Sequence, residues 1–146
     1  MPILPRPAGR QTDTLVPVPQ VDIVQETFVA APPAVVAERL ARPDVRLALW
    51  PDLAVAVARE RGVEGQRYAV TAPGWAGSAE LWLDPCLDGV LVHAYLRLDR
   101  AAPGARPRHR EYRRRDAAMR RALWTVKDEL EAGRPPGAPV PGGIPR

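Results

Sequence analysis

The chain has 146 residues, of which 18 are proline and one is cysteine, and a formal net charge of +4 at pH 7. This length predicts one domain, and the lone Cys86 excludes an internal disulfide and a cysteine-based zinc site. No apolar run matches a secretory signal or a membrane span, so we expect a cytoplasmic protein that does not cross a membrane.

Proline marks both ends of the chain. Five prolines lie in residues 1–20 and five more in residues 135–146. Because proline fixes φ and lacks a backbone N–H donor, such segments cannot join a sheet or continue a helix. We therefore expect disordered tails at 1–20 and 135–146, around one folded domain of residues 21–134.

The folded part is predicted to begin with a strand and two short helices. Residues 21–30 are rich in β-branched and aromatic side chains, which is typical of a strand. Pro32-Pro33 suits the first turn of a helix over residues 34–42. Asp44 can cap a second short helix over residues 45–50.

From Leu53 onwards the apolar period changes to two, which indicates consecutive antiparallel strands. Asp84 to Gly89 form a six-residue hairpin connection in this interpretation, with a positive φ at Gly89. The two strands beside it each have one apolar face, which predicts a sheet covered on one side. The apolar residues are Ala79, Leu81 and Leu83 on one strand and Val92, Ala94, Leu96 and Leu98 on the other.

A long helix over residues 109–131 is predicted to end the domain, before Gly133 and Pro135-Pro136. Its apolar residues recur at helical spacing, which predicts one stripe that faces the sheet. With helices on one side of an antiparallel sheet, the fold class is α+β. The stripe consists of Tyr112, Met119, Leu123, Val126 and Leu130.

Three segments and their order resemble the START-related SRPBCC superfamily, of polyketide cyclase/dehydrase and lipid-transport type. They are VDIVQETFVAAPPAVVAERLARPDVRLALWPDL, AELWLDPCLDGVLVHAYLRLD and RRALWTVKDELEAG. These segments are similar to the family's first strand and helix start, its hairpin and its closing helix. The resemblance implies a helix-grip fold, in which the sheet wraps around the C-terminal helix. It also implies hydrophobic-ligand binding, lipid carriage or polyketide cyclisation.

The space between the apolar sheet face and the long helix is the predicted ligand site, because ligand pockets are concave and mostly apolar. Small residues such as Ala79, Ala94 and Ala122 favour some empty volume there. The alternative is that the same side chains simply fill the core. The predicted ligand-binding residues are Trp50 and Trp75 near an entrance, and Leu81, Leu83, Val92, Ala94, Leu96, Met119, Leu123 and Val126 in the lining.

No pattern identifies catalytic residues, which stay unknown. Histidine is a common general base, but the alternation turns His93 away from the apolar face and no nucleophile accompanies it. Glu80 is predicted to be a cross-strand partner of Arg67 or Arg97. The two histidines and scattered carboxylates give no metal spacing, and the glycines form no phosphate loop. We therefore expect no metal and no cofactor.

Three functions follow, in this order of preference. The first is a protein that binds a small hydrophobic molecule, of lipid or polyketide-like kind. The second is a cyclase- or aromatase-type enzyme, which we rank lower because no convincing ionisable group lines the predicted cavity. The third is an Arg-rich helix that binds nucleic acid or an anionic surface, and only Tyr112 could stack on a base there. Its basic residues are Arg108, Arg110, Arg113, Arg114, Arg115, Arg120 and Arg121.

The outer face of the sheet is predicted to carry an aromatic patch of Trp82, His93 and Tyr95. Exposed apolar patches often mark contacts between proteins. A homodimer through this patch is therefore one expectation for the oligomeric state.

Overall fold

The computed structural model of the protein describes residues 20–100 and 108–132. The predicted tails and residues 101–107 lie outside the described residues, apart from Gln20. The elements are β1 (Val21–Val29), α1 (Pro33–Leu40), α2 (Pro43–Leu49), β2 (Ala54–Glu60), a one-turn 3-10 helix (Gly62–Glu64), β3 (Gly65–Ala72), β4 (Trp75–Cys86), β5 (Gly89–Arg100) and α3 (Arg108–Glu131).

The five strands form one antiparallel sheet in the order β1-β5-β4-β3-β2. The three α-helices pack on its apolar face, with α3 against β1 and α2. This arrangement confirms the α+β helix-grip fold. The predicted alternation in β4 and β5 is also confirmed, since Leu81 pairs with Ala94 and Leu83 with Val92, and all four side chains are buried.

The β4–β5 hairpin is tighter than its sequence predicts. Both strands continue to the turn, so the connection is the two residues Leu87-Asp88 and not the six from Asp84 to Gly89. The positive φ falls on Leu87, at 52°, and not on Gly89. Glycine is needed at 89 for another reason, because a Cβ there would overlap the carbonyl oxygen of Val29.

The two short helices begin at proline. Pro33 and Pro43 occupy their first turns, where a missing N–H removes no hydrogen bond. Asp44 was predicted to cap α2, but it lies inside the first turn, where its charge favours the helix dipole. It also pairs with Arg39 on α1 at 3.0 Å, which joins the two helices.

The buried stripe of α3 differs from the prediction at its N-terminal end. Met119, Leu123 and Val126 are buried as predicted, whereas Tyr112 is 42% exposed. Glu111 and Arg115 continue the stripe and are only 1% and 2% exposed. Two charged residues can occupy this apolar stripe because they form an ion pair one helical turn apart, at 3.3 Å.

Among the described helices, none combines the length and the apolar composition that crossing a membrane requires.

Candidate functional site in the core

The structure brings the ten predicted ligand-binding residues together in one core. None of their side chains is more than 4% exposed, and all belong to a single cluster of buried apolar residues. The two tryptophans predicted near an entrance are themselves buried. Trp75 lies at the start of β4, where the Arg100 guanidinium covers its ring at 5.8 Å. Trp50 follows α2 and packs on Tyr68.

A narrow gap leads into this core between α1, the 3-10 helix and strands β3 and β4. We call it the α1 crevice, and its volume is about 10 Å³. That is room for about one water molecule, so the crevice admits no larger ligand in this conformation. Its walls are Ala37, Leu40, Ala41, Gly62, Gly65, Gln66, Tyr68, Leu81 and Leu83, of which the last two are predicted ligand residues.

Beside the α1 crevice lies a small group of polar side chains. This polar cluster consists of Arg46, Trp50, Gln66 and Tyr68. The Trp50 and Tyr68 rings are 5.2 Å apart, and the Arg46 guanidinium lies 5.6 Å from the Tyr68 ring. The Tyr68 hydroxyl donates a hydrogen bond of 2.6 Å to Gln66 Oε1. Mostly apolar surroundings with a few fixed polar groups are typical of small-molecule sites.

Two donors of the polar cluster have no acceptor among the described residues. The indole N–H of Trp50 and the Nε of Arg46 are both buried, and neither makes a hydrogen bond. An unsatisfied buried donor costs about 1–3 kcal/mol, so such groups usually meet a water or a ligand. Arg46 is still held in place, because its Nη2 donates to the Ala41 carbonyl at 3.2 Å.

Tyr68 is a neutral phenol. Burial raises its pKa to about 12, although the nearby Arg46 charge acts in the opposite direction. Burial dominates because the phenolate would lose its hydration in the core. Tyr68 therefore keeps its proton at physiological pH and can donate a hydrogen bond.

Sequence reasoning identified Trp50 but missed Arg46, Gln66 and Tyr68. The available signal was the period of β3, since Gln66 and Tyr68 alternate with Val70 on one face. The contact with Arg46 has no local signal, because it depends on how α2 lies over β3.

A buried ion pair anchors α3 beside the core. Arg115 contacts Glu111 and donates to the carbonyl oxygen of Pro51, while Arg114 contacts Asp52 at 3.1 Å. Burial lowers the pKa of Arg115, the Arg114 charge lowers it further, and Glu111 offsets part of both effects. These contacts position the turn that carries Trp50.

The outer face carries His93 and Glu80. His93 points away from the core, as predicted, and forms a 3.1 Å hydrogen bond with Glu26. Glu80 pairs with Arg61, which precedes the 3-10 helix, and not with Arg67 or Arg97. Within residues 20–100 and 108–132, no group of His, Cys, Asp and Glu is arranged to hold a metal ion.

Solved structures share this fold at low sequence identity. CalU16 from Micromonospora echinospora matches with a TM-score of 0.60 and 12% identity, over 79% of this chain and 77% of that one. The Aha1 dimer from Colwellia psychrerythraea gives 0.58 and 14%, over 79% and 99%. DynU16, from the dynemicin biosynthetic locus, gives 0.55 and 14%, over 78% and 48%.

No protein-family model matches this chain, and no curated protein matches its sequence. The three structures match the fold of this chain. At these identities the likeness establishes the fold alone.

Proposed function

We propose that this domain binds a small hydrophobic molecule, of lipid or polyketide-like kind, between the sheet and α3. One observation carries the proposal: the buried Trp50 N–H has no acceptor among the described residues, in an otherwise apolar core. A ligand with an apolar body and one oxygen acceptor would fit both features. Its oxygen would accept from Trp50, and its body would pack on Leu81 and Leu83.

The α1 crevice is the proposed way in. A ligand pocket has about 300–1,000 Å³, so the crevice must widen. Its outer wall is made of short elements, the eight residues of α1 and the three of the 3-10 helix. Gly62 begins that turn with a φ of 58° and has open space at its Cβ position, so it is suited to act as a hinge. Movement there would leave the β4–β5 pairing intact.

The compared structures bear on the ligand class and on assembly. DynU16 is described as a protein of a biosynthetic locus, which supports a natural-product-like compound as an alternative to a lipid. The Colwellia protein is described as a dimer, which is compatible with a homodimer of this chain but indicates no particular surface for it. The cytoplasmic location stays a prediction.

A cyclase-type enzyme is the second candidate, and Tyr68 is the observation that favours it. If the Tyr68 hydroxyl turned from Gln66 to the ligand, this neutral phenol could donate a hydrogen bond to a ligand carbonyl, with the positive charge of Arg46 nearby. The binding proposal does not need such chemistry. Turnover of a bound compound that is lost in Tyr68→Phe would favour the enzyme.

The binding proposal can be tested with two fluorescent probes of different polarity. Prodan carries a ketone acceptor, whereas diphenylhexatriene is a pure hydrocarbon. The wild-type chain should bind both, and Trp50→Phe should weaken prodan about tenfold with little effect on diphenylhexatriene. Trp124→Phe is the matched control, because Trp124 lies on the exposed side of α3 and is 51% exposed. If wild type takes up neither probe, the binding proposal fails.

A further inference from the structure

A second concave surface lies on the opposite face of the sheet. This outer groove has a volume of about 360 Å³, which is within the range of small-molecule sites. It is lined by Arg67 on β3, by Ser78, Glu80 and Trp82 on β4, and by Tyr95 and Arg97 on β5. Because it faces away from the core, it is separate from the interior site proposed above.

The depth of the outer groove follows from the strand register. Ser78 lies between Ala69 on β3 and Arg97 on β5, and its small side chain forms a low floor. In the next row, Arg67 and Tyr95 stand on either side of Glu80. Long side chains beside short ones on a sheet leave a space between them.

Both aromatic rings of the groove are held by neighbours outside it. The Arg61 guanidinium lies 5.4 Å from the Trp82 ring, and Arg61 is itself fixed by its ion pair with Glu80. His93 stacks on Tyr95 with 6.2 Å between ring centroids and 16° between planes. Rings already held in place lose less entropy when a ligand binds.

The charge of the groove is positive. Glu80 is neutralised by Arg61, so it offsets neither of the groove's arginines. Arg97 meets Asp22 at 3.6 Å, and both side chains are largely exposed, which makes that pair weak. Arg67 forms no ion pair with any residue that the structure describes. Guanidinium groups bind carboxylates and phosphates with paired hydrogen bonds.

We propose that the outer groove binds a small planar aromatic anion. Its ring would pack on Trp82 and Tyr95, and its carboxylate or phosphate would contact Arg67 and Arg97. Aromatic faces and guanidinium charge are the two features that recognise such a molecule.

The test is an NMR titration of the full ¹⁵N-labelled chain with 2-naphthoate. We expect saturable shifts at the Trp82 indole and at the side-chain N–H groups of Arg67 and Arg97. The neutral analogue 2-naphthalenemethanol and inorganic phosphate alone should each bind at least about tenfold more weakly, because each lacks one of the two features.

Charge variants then distinguish direct contact with the groove arginines from long-range attraction by the net positive charge. Arg67→Gln and Arg97→Gln should each weaken 2-naphthoate about tenfold. Arg59→Gln is the control, because Arg59 pairs with Arg67 across β2 and β3 and carries the same charge but does not line the groove. It should change the affinity less than about twofold.

Several results would overturn the proposal. An equal loss of 2-naphthoate affinity in Arg59→Gln would show that the arginines act only through general electrostatic attraction. Equal binding of the neutral analogue would show that charge has no role. Shifts confined to Trp50 would place the probe in the core. A dimer in sedimentation experiments, with the groove residues protected and no naphthoate binding, would make this face an interface between copies. Failure of the interior probes leaves the test unaffected, because it reads different residues.

Discussion

Trp50 and Tyr68 meet ring to ring at the edge of the core, 5.2 Å apart and tilted by 59°. One comes from the end of α2 and the other from β3, so their contact joins the helical layer to the sheet. The Tyr68 hydroxyl is satisfied by Gln66, whereas the Trp50 N–H is not satisfied by any described residue. The pair therefore combines good packing with one unsatisfied donor, and this defines the proposed ligand position.

Because its N–H donor is unsatisfied, Trp50→Phe should be less destabilising than the burial of Trp50 suggests. The substitution loses packing, but it also removes a group whose burial costs about 1–3 kcal/mol. We expect the free energy of unfolding of ligand-free protein to fall by less than about 1 kcal/mol. Urea unfolding measures this, with Trp75→Phe as the matched control, since Trp75 is buried and its N–H is not among the unsatisfied groups. Equal losses of unfolding free energy in Trp50→Phe and Trp75→Phe would contradict an energetic cost of the unsatisfied Trp50 N–H.

The raised pKa of Tyr68 predicts a loss of stability at alkaline pH. Its pKa is about 12 in the folded chain and about 10 when unfolded, so the folded state holds the proton more tightly. The contribution is complete below pH 10 and is lost as pH rises through 12, by about 2–3 kcal/mol. Tyr68→Phe should flatten this part of the pH profile. Tyr112→Phe, at an exposed site, should leave it steep, and the reverse pattern would contradict the assignment.

Ala94 tests whether the core is closed in the absence of ligand. It lies between Gln25 and Leu81 in the sheet and is fully buried. Because its cross-strand neighbour Leu81 lines a gap of only about 10 Å³, Ala94→Leu should cost about 1–3 kcal/mol in urea unfolding and should block uptake of diphenylhexatriene. Ala56→Leu, on exposed β2, should do neither. Free tolerance of Ala94→Leu would indicate a standing void in the ligand-free protein.

Removing one partner of the buried Glu111–Arg115 ion pair on α3 should destabilise the protein far more than replacing both partners with apolar residues. Arg115→Met removes the ion pair with Arg115 from the buried Glu111 carboxylate, and we expect a loss of about 3 kcal/mol in thermal or urea unfolding. Replacing both partners, as Glu111→Leu with Arg115→Met, should recover most of that loss. Arg120→Met, which breaks an exposed pair with Asp116, should cost less than about 1 kcal/mol. Equal effects at 115 and 120 would mean that Arg115 is hydrated in solution.

The sequence predicts the fold well because the decisive signals are periodic. The apolar alternation around Leu81 and Ala94 establishes the β4–β5 face, and the spacing of Met119, Leu123 and Val126 establishes the α3 face. The same logic fails where the pairing of charged side chains overrides the pattern. Glu111 was assigned to no buried position, because an isolated charge avoids the core, whereas a carboxylate paired with an arginine such as Arg115 can be buried.

The candidate site could be predicted only in part. All ten predicted residues lie in one buried cluster. Eight of them were found from periodicity, which identifies the faces that turn inward, whereas Trp50 and Trp75 were predicted near an entrance. Periodicity says nothing of how tightly those faces pack, so the small gap beside Leu81 could not be foreseen. Trp82 and Tyr95 were predicted on the outer face, but the charge of the groove was not, because it depends on Glu80 pairing with Arg61 and not with Arg67.

The central claim, a hydrophobic ligand in the core against Trp50, is tested most directly by following the Trp50 indole N–H in ¹H–¹⁵N NMR spectra during a prodan titration. We predict a saturable shift of that signal, accompanied by shifts of the Leu81 and Leu83 methyl groups. An unchanged Trp50 signal, with no binding or with shifts only at Trp82 on the outer face, would contradict the claim.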